Sequence, residues 1–352
     1  MEFAFTDEQK MIAETAQAFF RENATSGRTR KAMAADGIDR ELWSAFCTEL
    51  GLSGVGVPEE HGGAGLGLVE MAILFEAAGS QVCALPMLGS LALATQAIAA
   101  GGSDTQKAEW LTRLLSGESI AGYVHDPDLQ ADGNVLTGEC SFVAHGGSAD
   151  LFYVTGRSGG WLVCAGHPGV EVSLQTTMDQ TRPLARVTLA GVTGEPLSDP
   201  AAASLAARNA GFVALAAEAL GGAQEALDRT VAYSRERVQF GRPIGSFQAY
   251  KHRLADMMIE IEQARSAVYW AACAVDENSD EAPIALHAAK SFCADTYFMV
   301  AGNMIQLHGG IGFTWEHDAH LFFKRARSIQ SMLGSGNWHR EAIAEMILGE
   351  AA

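Results

Sequence analysis

The chain has 352 residues, 48% of them hydrophobic, which predicts two or three domains with sizeable cores. Its formal net charge of −18 argues against nucleic-acid binding, which requires a basic surface. The six cysteines form no CxxC pair and the N-terminus is too acidic for a signal peptide, so we expect a cytoplasmic protein without a metal site. No apolar run is long enough to predict a membrane span.

Residues 1–118 are predicted to form an N-terminal helical domain. Thr6 and Gln9 have the spacing of a capping box and precede an apolar stripe with helical periodicity. Residues 69–78 predict a further helix that ends at Gly79. The glycine-rich residues 58–67 lack the lysine of a phosphate-binding loop, so we interpret them as a tight connection.

Residues 119–200 change to short β-like runs separated by turn residues. This spacing predicts a middle domain built as an antiparallel barrel or sandwich. The runs are residues 134–138, 140–144, 151–155, 161–164, 170–174 and 186–190.

Residues 201–352 are predicted to form a C-terminal four-helix bundle suited to oligomer formation. Residues 203–237 read as one long alanine-rich helix, although each internal glycine costs roughly 1 kcal/mol unless packing requires it. The next helix spans residues 247–275, and a third begins at Pro283 and ends at Gly309.

A polar stretch, residues 233–248, joins the first two of these helices. Gly241 and Pro243 predict a turn, which would hold Arg237 at a junction between helix and loop. A guanidinium there suits a phosphate or a carboxylate. The alternative from spacing alone is a surface ion pair with a neighbouring glutamate.

Three ordered motifs indicate a family resemblance. Residues 237–248 match the pattern R-x-x-F-G-x-x-I-x-x-x-Q, residues 306–313 read Gln-Leu-His-Gly-Gly-Ile-Gly-Phe, and residues 50–63 carry an N-terminal signature. In this respect the chain resembles the acyl-CoA dehydrogenase family. The resemblance implies bound FAD, desaturation of an acyl-CoA thioester, and an electron-transfer flavoprotein or similar acceptor.

The resemblance also implies which residues contact FAD. These cofactor-binding candidates are Arg237, Gln239, Phe240, Gln248, Gln306, Gly309, Gly310, Ser335 and Asn337. In family members, two further segments line the flavin ring with hydroxyl groups and an aromatic side chain. Here Phe142 keeps the aromatic, whereas His125 and Ala144 replace the hydroxyl side chains.

The catalytic carboxylate expected from the resemblance is missing. Counting without gaps from Gly310 to the family's base loop reaches Leu333, and the second position used by relatives of isovaleryl-CoA dehydrogenase falls on Gly211. A small shift of alignment would make Glu218 or Glu225 a weak candidate, with an ion-paired or solvated glutamate as the alternative.

In this family each FAD lies between two subunits, so a chain that keeps one half of the site can complete the FAD site of a neighbouring subunit. The chain keeps the arginine and Gln-Gly-Gly motifs but has lost the base. It therefore resembles the non-catalytic subunit of the α₂β₂ acyl-CoA dehydrogenases of bacterial steroid side-chain breakdown. Two alternatives stay open: an active homotetramer with a non-standard base, and a flavin-free scaffold that kept only the fold.

Overall fold

The computed structural model describes residues 5–349. The chain divides into two compact units that are interleaved along the sequence. Among the described residues, the first unit holds 5–26, 68–83 and 212–349, and the second unit holds 27–67 and 84–211. The predicted domain limits at residues 118 and 200 stay predictions.

Helices dominate both ends of the chain. The α-helices are α1 (Asp7–Asn23), α2 (Ser26–Met33), α3 (Arg40–Ala45), α4 (Leu68–Ser80), α5 (Gln96–Gly101), α6 (Asp104–Leu115), α7 (Pro200–Glu236), α8 (Gln248–Asp276), α9 (Ala282–His308), α10 (Ala319–Ser331) and α11 (Gly336–Leu348). Two further segments, Phe46–Leu50 and Met87–Thr95, are π-helical. Among the residues that the structure describes, no helix combines the length and apolar character that a membrane crossing needs.

The strands lie between α6 and α7, with one short pair between α7 and α8. They are β1 (Ala121–His125), β2 (Gln130–Asp132), β3 (Val135–Ala144), β4 (Leu151–Gly156), β5 (Gly159–Cys164), β6 (Val170–Gln175), β7 (Leu184–Thr193), β8 (Glu195–Pro196), β9 (Val238–Gln239) and β10 (Arg242–Pro243).

Several helix ends lie where local sequence signals predicted them. The capping box is confirmed, because the Thr6 hydroxyl accepts from the Gln9 N–H at 3.2 Å and the Gln9 side chain accepts from the Thr6 N–H at 3.0 Å. Pro283 lies in the first turn of α9, and Gly309 follows its last residue. The long alanine-rich helix is also confirmed, as α7.

Glycines in α4 and α7 serve helix packing. The prediction that Gly79 ends α4 is wrong, because the helix continues to Ser80. A Cβ added at Gly79 would lie 2.2 Å from the Glu218 carbonyl oxygen, and one added at Gly221 would lie 1.8 Å from the Glu76 carbonyl oxygen. The two backbones therefore approach closely, and each glycine leaves room for the other helix.

Two four-stranded sheets of the second unit share one hydrophobic core. Their strand orders are β1-β4-β5-β8 and β2-β3-β7-β6, and the parallel pair β1–β4 is the exception to antiparallel pairing. The predicted runs 134–138 and 140–144 are one strand, β3, with an irregular register against β7 between Cys140 and Val143. The middle region therefore consists of two sheets that do not close into a barrel.

The first unit is a helical bundle around α9. Helices α8, α10 and α11 pack against α9, and α4 packs against both α1 and α8. The sequence order of helices, sheets and helices that we predicted is confirmed.

Candidate cofactor site

A β-hairpin presents the arginine motif at the surface of the first unit. We call residues 237–243 the arginine hairpin. Gln239 of β9 pairs with Arg242 of β10, and the two residues between them, Phe240 and Gly241, have φ of 52° and 76°. Two positive φ angles in a two-residue loop are typical of a primed hairpin turn, which requires a residue such as Gly. Phe240 lies at the tip and is 93% exposed.

The arginine hairpin carries positive charge that the described residues do not neutralise. Arg237 is exposed, and no carboxylate within residues 5–349 forms an ion pair with it, so the predicted alternative of a surface ion pair is absent there. The Arg242 guanidinium lies 4.0 Å from the centre of the Phe247 ring. Helix α8 starts after Phe247 without a side-chain cap, so its first N–H groups also favour an anion.

The second motif lies beside the first. The Tyr250 hydroxyl donates to the Leu307 carbonyl at 3.1 Å, and the Tyr233 hydroxyl donates to the His308 carbonyl at 3.4 Å. These contacts bring the arginine hairpin to the C-terminal end of α9. Residues 309–313, which we call the glycine turn, follow directly and form a 3₁₀ turn.

The main chain of both segments is open to a ligand. A Cβ built at Gly241, Gly309 or Gly310 meets no atom within 4 Å. Gly309 also has φ of +64°, a conformation that favours glycine. Exposed backbone, an arginine without a carboxylate and a free helix N-terminus fit the pyrophosphate of a dinucleotide.

Seven of the predicted FAD contacts are exposed and lie in these two segments or in the helix ends next to them, which are the start of α8 and the last turn of α9. They are Arg237, Gln239, Phe240, Gln248, Gln306, Gly309 and Gly310. The side chain of Gln239 already donates to the neighbouring Val238 carbonyl at 2.8 Å, so a ligand would compete with that bond.

Ser335 and Asn337 are not brought to this surface. Ser335 caps α11 by accepting from the Trp338 N–H at 3.3 Å, and the Asn337 side chain accepts from Arg340 at 2.9 Å. Their loop rests on Lys290, which is separated from His308 by about 27 Å along α9, at about 1.5 Å per residue. The contacts of Ser335 and Asn337 with FAD therefore stay predictions.

Lys290 was not singled out by the sequence, because nothing in its helical surroundings marks a buried cation. Its side chain is fully buried, and its ammonium donates to the carbonyls of Gln330 and Gly334. Burial lowers the pKa of Lys290 to about 8. Lys290 thereby fixes the loop in which Leu333 and Gly334 adopt φ of 50° and 104°.

The two family positions for the base offer no proton acceptor. Leu333 is half-buried and apolar, and Gly211 is buried within α7. The weak candidate Glu218 forms an ion pair with Arg325, whose side chain is 3% exposed against 5% for Glu218. Glu225 pairs with Arg229 at 2.6 Å. Both glutamates therefore match the ion-paired alternative.

The segments that would line the flavin ring lie in the second unit. Phe142 has φ of 67°, is 68% exposed, and its N–H donates to the Gln175 side chain at 2.9 Å. His125 is exposed at the end of β1, whereas Ala144 is buried and offers no hydroxyl. An aromatic surface is thus available, but one polar contact expected from the resemblance is absent at residue 144.

The N-terminal and C-terminal parts of the chain each match a known domain family. Residues 6–118 match the acyl-CoA dehydrogenase N-terminal domain, and residues 204–348 match the acyl-CoA dehydrogenase C-terminal domain. The acyl-CoA dehydrogenase IpdE2 of Mycobacterium tuberculosis is 38% identical over 333 residues, which cover 94% of each chain.

Solved structures are similar over the same length. The ChsE4-ChsE5 complex from Mycobacterium tuberculosis contains a chain that superposes with a TM-score of 0.92 at 28% identity, covering 100% of both chains. The Tcur3481-Tcur3483 steroid ACAD G363A variant gives a TM-score of 0.89 at 30% identity, covering 97% of this chain and 98% of the other. The chain therefore belongs to the acyl-CoA dehydrogenase family of FAD-dependent oxidoreductases.

Proposed function

We propose that this chain is the base-lacking subunit of a mixed acyl-CoA dehydrogenase assembly, in which it completes the FAD sites of a homologous catalytic partner. One observation carries the proposal: the arginine hairpin is exposed, and Arg237 has no carboxylate partner among the described residues. A side chain held in this way is suited to a ligand that a neighbouring subunit also contacts.

The missing base supports the same assignment. Desaturation removes a proton from the α carbon and a hydride from the β carbon, and FAD supplies the hydride acceptor when bound. The protein must supply the proton acceptor, yet residues 333 and 211 are Leu and Gly. Loss of a positioned base costs about 10² to 10⁴ in rate, so we expect this chain alone to be a poor dehydrogenase.

The retained residues have defined tasks in this proposal. Arg237 and the N-terminus of α8 would hold the pyrophosphate of FAD, and the glycine turn would let it approach the main chain. The partner would supply the carboxylate and shape most of the acyl-CoA pocket. The two solved relatives with paired names, one of them called a steroid ACAD, support an assembly of two different chains, for which we propose an α₂β₂ arrangement and a steroid-derived acyl-CoA as substrate.

The first test is the flavin-to-protein ratio of the purified full-length chain, together with its mass in solution. Colourless or substoichiometric protein is expected for a subunit that holds only half of each site. One FAD per chain in a homotetramer that reduces an acceptor dye with an acyl-CoA would refute the proposal.

The second test uses the chain co-expressed with a homologue that carries the glutamate. Arg237→Ala should weaken FAD binding by about 10- to 100-fold, since a hydrogen bond to a charged group contributes about 1.5–3 kcal/mol. Arg235→Ala is the matched control, because Arg235 is also exposed and lies in the last turn of α7. Equal FAD content in both variants would contradict the assignment of Arg237.

A further inference from the structure

Two tyrosines connect the arginine hairpin to the end of α9. The Tyr250 hydroxyl donates to the Leu307 carbonyl at 3.1 Å, and the Tyr233 hydroxyl donates to the His308 carbonyl at 3.4 Å. Carbonyls in the last turn of a helix lack intrahelical partners, so a side-chain donor satisfies them and fixes the helix end. Burial raises the pKa of Tyr250 to about 12, so its hydroxyl keeps the proton that it donates.

The main chain of each tyrosine is also hydrogen-bonded to a residue in the arginine hairpin or shortly after it. The Arg237 N–H donates to the Tyr233 carbonyl at 2.9 Å, and the Tyr250 N–H donates to the Phe247 carbonyl at 3.1 Å. Tyr233 therefore lies one helical turn before Arg237. Tyr250 belongs to the first turn of α8, which has no side-chain cap.

His308 completes the connection through its ring. Its Nδ1 lies 2.7 Å from the Met304 carbonyl, which only accepts, so Nδ1 carries the proton. The Tyr233 ring stacks on the His308 ring with centroids 4.4 Å apart, and the His317 ring lies 4.5 Å from it. The residue directly before the glycine turn is thus held by packing and by hydrogen bonds.

We propose that Tyr233 and Tyr250 are positioning residues for FAD, which set the spacing between the arginine hairpin and the glycine turn. The inference rests on the proposed function, because both segments must contact the same cofactor for their spacing to matter. Neither tyrosine needs to touch FAD, since each acts through the main chain of the segment that would.

The experiment measures FAD binding by flavin fluorescence in the FAD-containing assembly of the full-length chain. The variants are Tyr233→Phe, Tyr250→Phe and the double variant, which remove the hydroxyls and keep the packing of the rings. Tyr269→Phe is the matched control, because the buried Tyr269 hydroxyl donates to Glu76 at 2.6 Å, away from either motif. Thermal unfolding is recorded for each variant, and FAD binding is measured well below all midpoints.

Each single variant should raise the Kd for FAD by about three- to tenfold, and the double variant by more. The control should lower the Tm without changing the Kd. An unchanged Kd in the double variant, with FAD lost in Arg237→Ala, would overturn this inference and leave the proposed function intact. Unchanged Kd values in both the double variant and Arg237→Ala would overturn the proposed function as well.

Tyr233→Ala separates stacking from hydrogen bonding. It removes the ring that packs on His308 in addition to the hydroxyl, so its Kd for FAD should exceed that of Tyr233→Phe. Equal Kd values for wild type and Tyr233→Ala would exclude any role of Tyr233 in spacing the two segments.

Discussion

The buried ion pair between Glu218 and Arg325 allows a direct test of whether Glu218 serves stability or catalysis. The two side chains are 5% and 3% exposed, and a second guanidinium nitrogen of Arg325 donates to the Cys83 carbonyl at 3.1 Å. Glu218→Gln keeps the size of the side chain but removes its charge. It leaves a buried cation without the carboxylate, which should lower the free energy of unfolding by about 3–5 kcal/mol.

The assay is urea unfolding of the full-length chain, with Glu225→Gln as the matched control. Glu225 lies on the same helix and pairs with Arg229 at 2.6 Å, but its side chain is 26% exposed. Because solvent screens such a pair, we expect the control to lose at most about 1 kcal/mol. The flavin-containing assembly should keep its turnover per FAD in both variants.

The opposite pattern would refute this reasoning. If Glu218→Gln unfolds within about 1 kcal/mol of wild type while turnover falls by about 100-fold or more, Glu218 acts as the base and not as a structural anion. The chain would then be catalytic in its own right, and the mixed assembly would lose its main support.

Three further results are expected. Burial lowers the pKa of Lys290 to about 8 from 10.5, so the unfolded chain binds a proton that the folded chain releases between these pH values. Between about pH 8 and pH 10.5, the free energy of unfolding should therefore rise by about 3 kcal/mol more for the wild type than for Lys290→Met, as measured by urea unfolding. Equal pH slopes for the two proteins would contradict this. Gly221→Ala should lower the free energy of unfolding by about 1–3 kcal/mol or more in the same assay, because its methyl would meet the Glu76 carbonyl; wild-type stability would disprove the close approach. Gly310→Ala should leave the Tm unchanged but raise the Kd for FAD, whereas Gly27→Ala, with equally open surroundings in α2, should leave the Kd unchanged and should not lower the Tm, because alanine favours a helix.

Features set by residues close in sequence were predictable. The capping box of Thr6 and Gln9, the proline start of α9 and the single helix α7 each depend on contacts within a few residues. The turn at Gly241 was also predictable, although the hairpin that contains it was not, because β9 and β10 are only two residues long.

Features set by distant residues were not predictable from pattern. Gly79 has the sequence context of a helix stop, yet it lies within α4, at a point where the Glu218 carbonyl of α7 leaves no room for a Cβ. Glu218 and Arg325 are far apart in the chain, and no local signal announces their pairing. The parallel pairing of β1 with β4 likewise depends on topology and not on the composition of either strand.

The residues of the candidate site likewise divide into those that local motifs predicted and those that depend on distant contacts. The motifs identified Arg237 and Gly309, but not the tyrosines that join their segments, because Tyr233 and Tyr250 reach α9 across the bundle. One signal was available in retrospect: a tyrosine lies one helical turn before the arginine, and another follows the start of α8.

The interleaving of the two units affects the order in which a growing chain can fold. Helices α1 and α4 belong to a unit whose remaining residues begin at Phe212. Until those residues leave the ribosome, α4 lacks α8, one of the helices against which it packs. At about 5–20 residues per second, synthesis from Ser80 to Asp276, the end of α8, leaves the face of α4 that packs on α8 uncovered for roughly 10–40 seconds. We therefore expect chaperones to bind this face of α4 during translation, although it packs against α8 in the finished bundle.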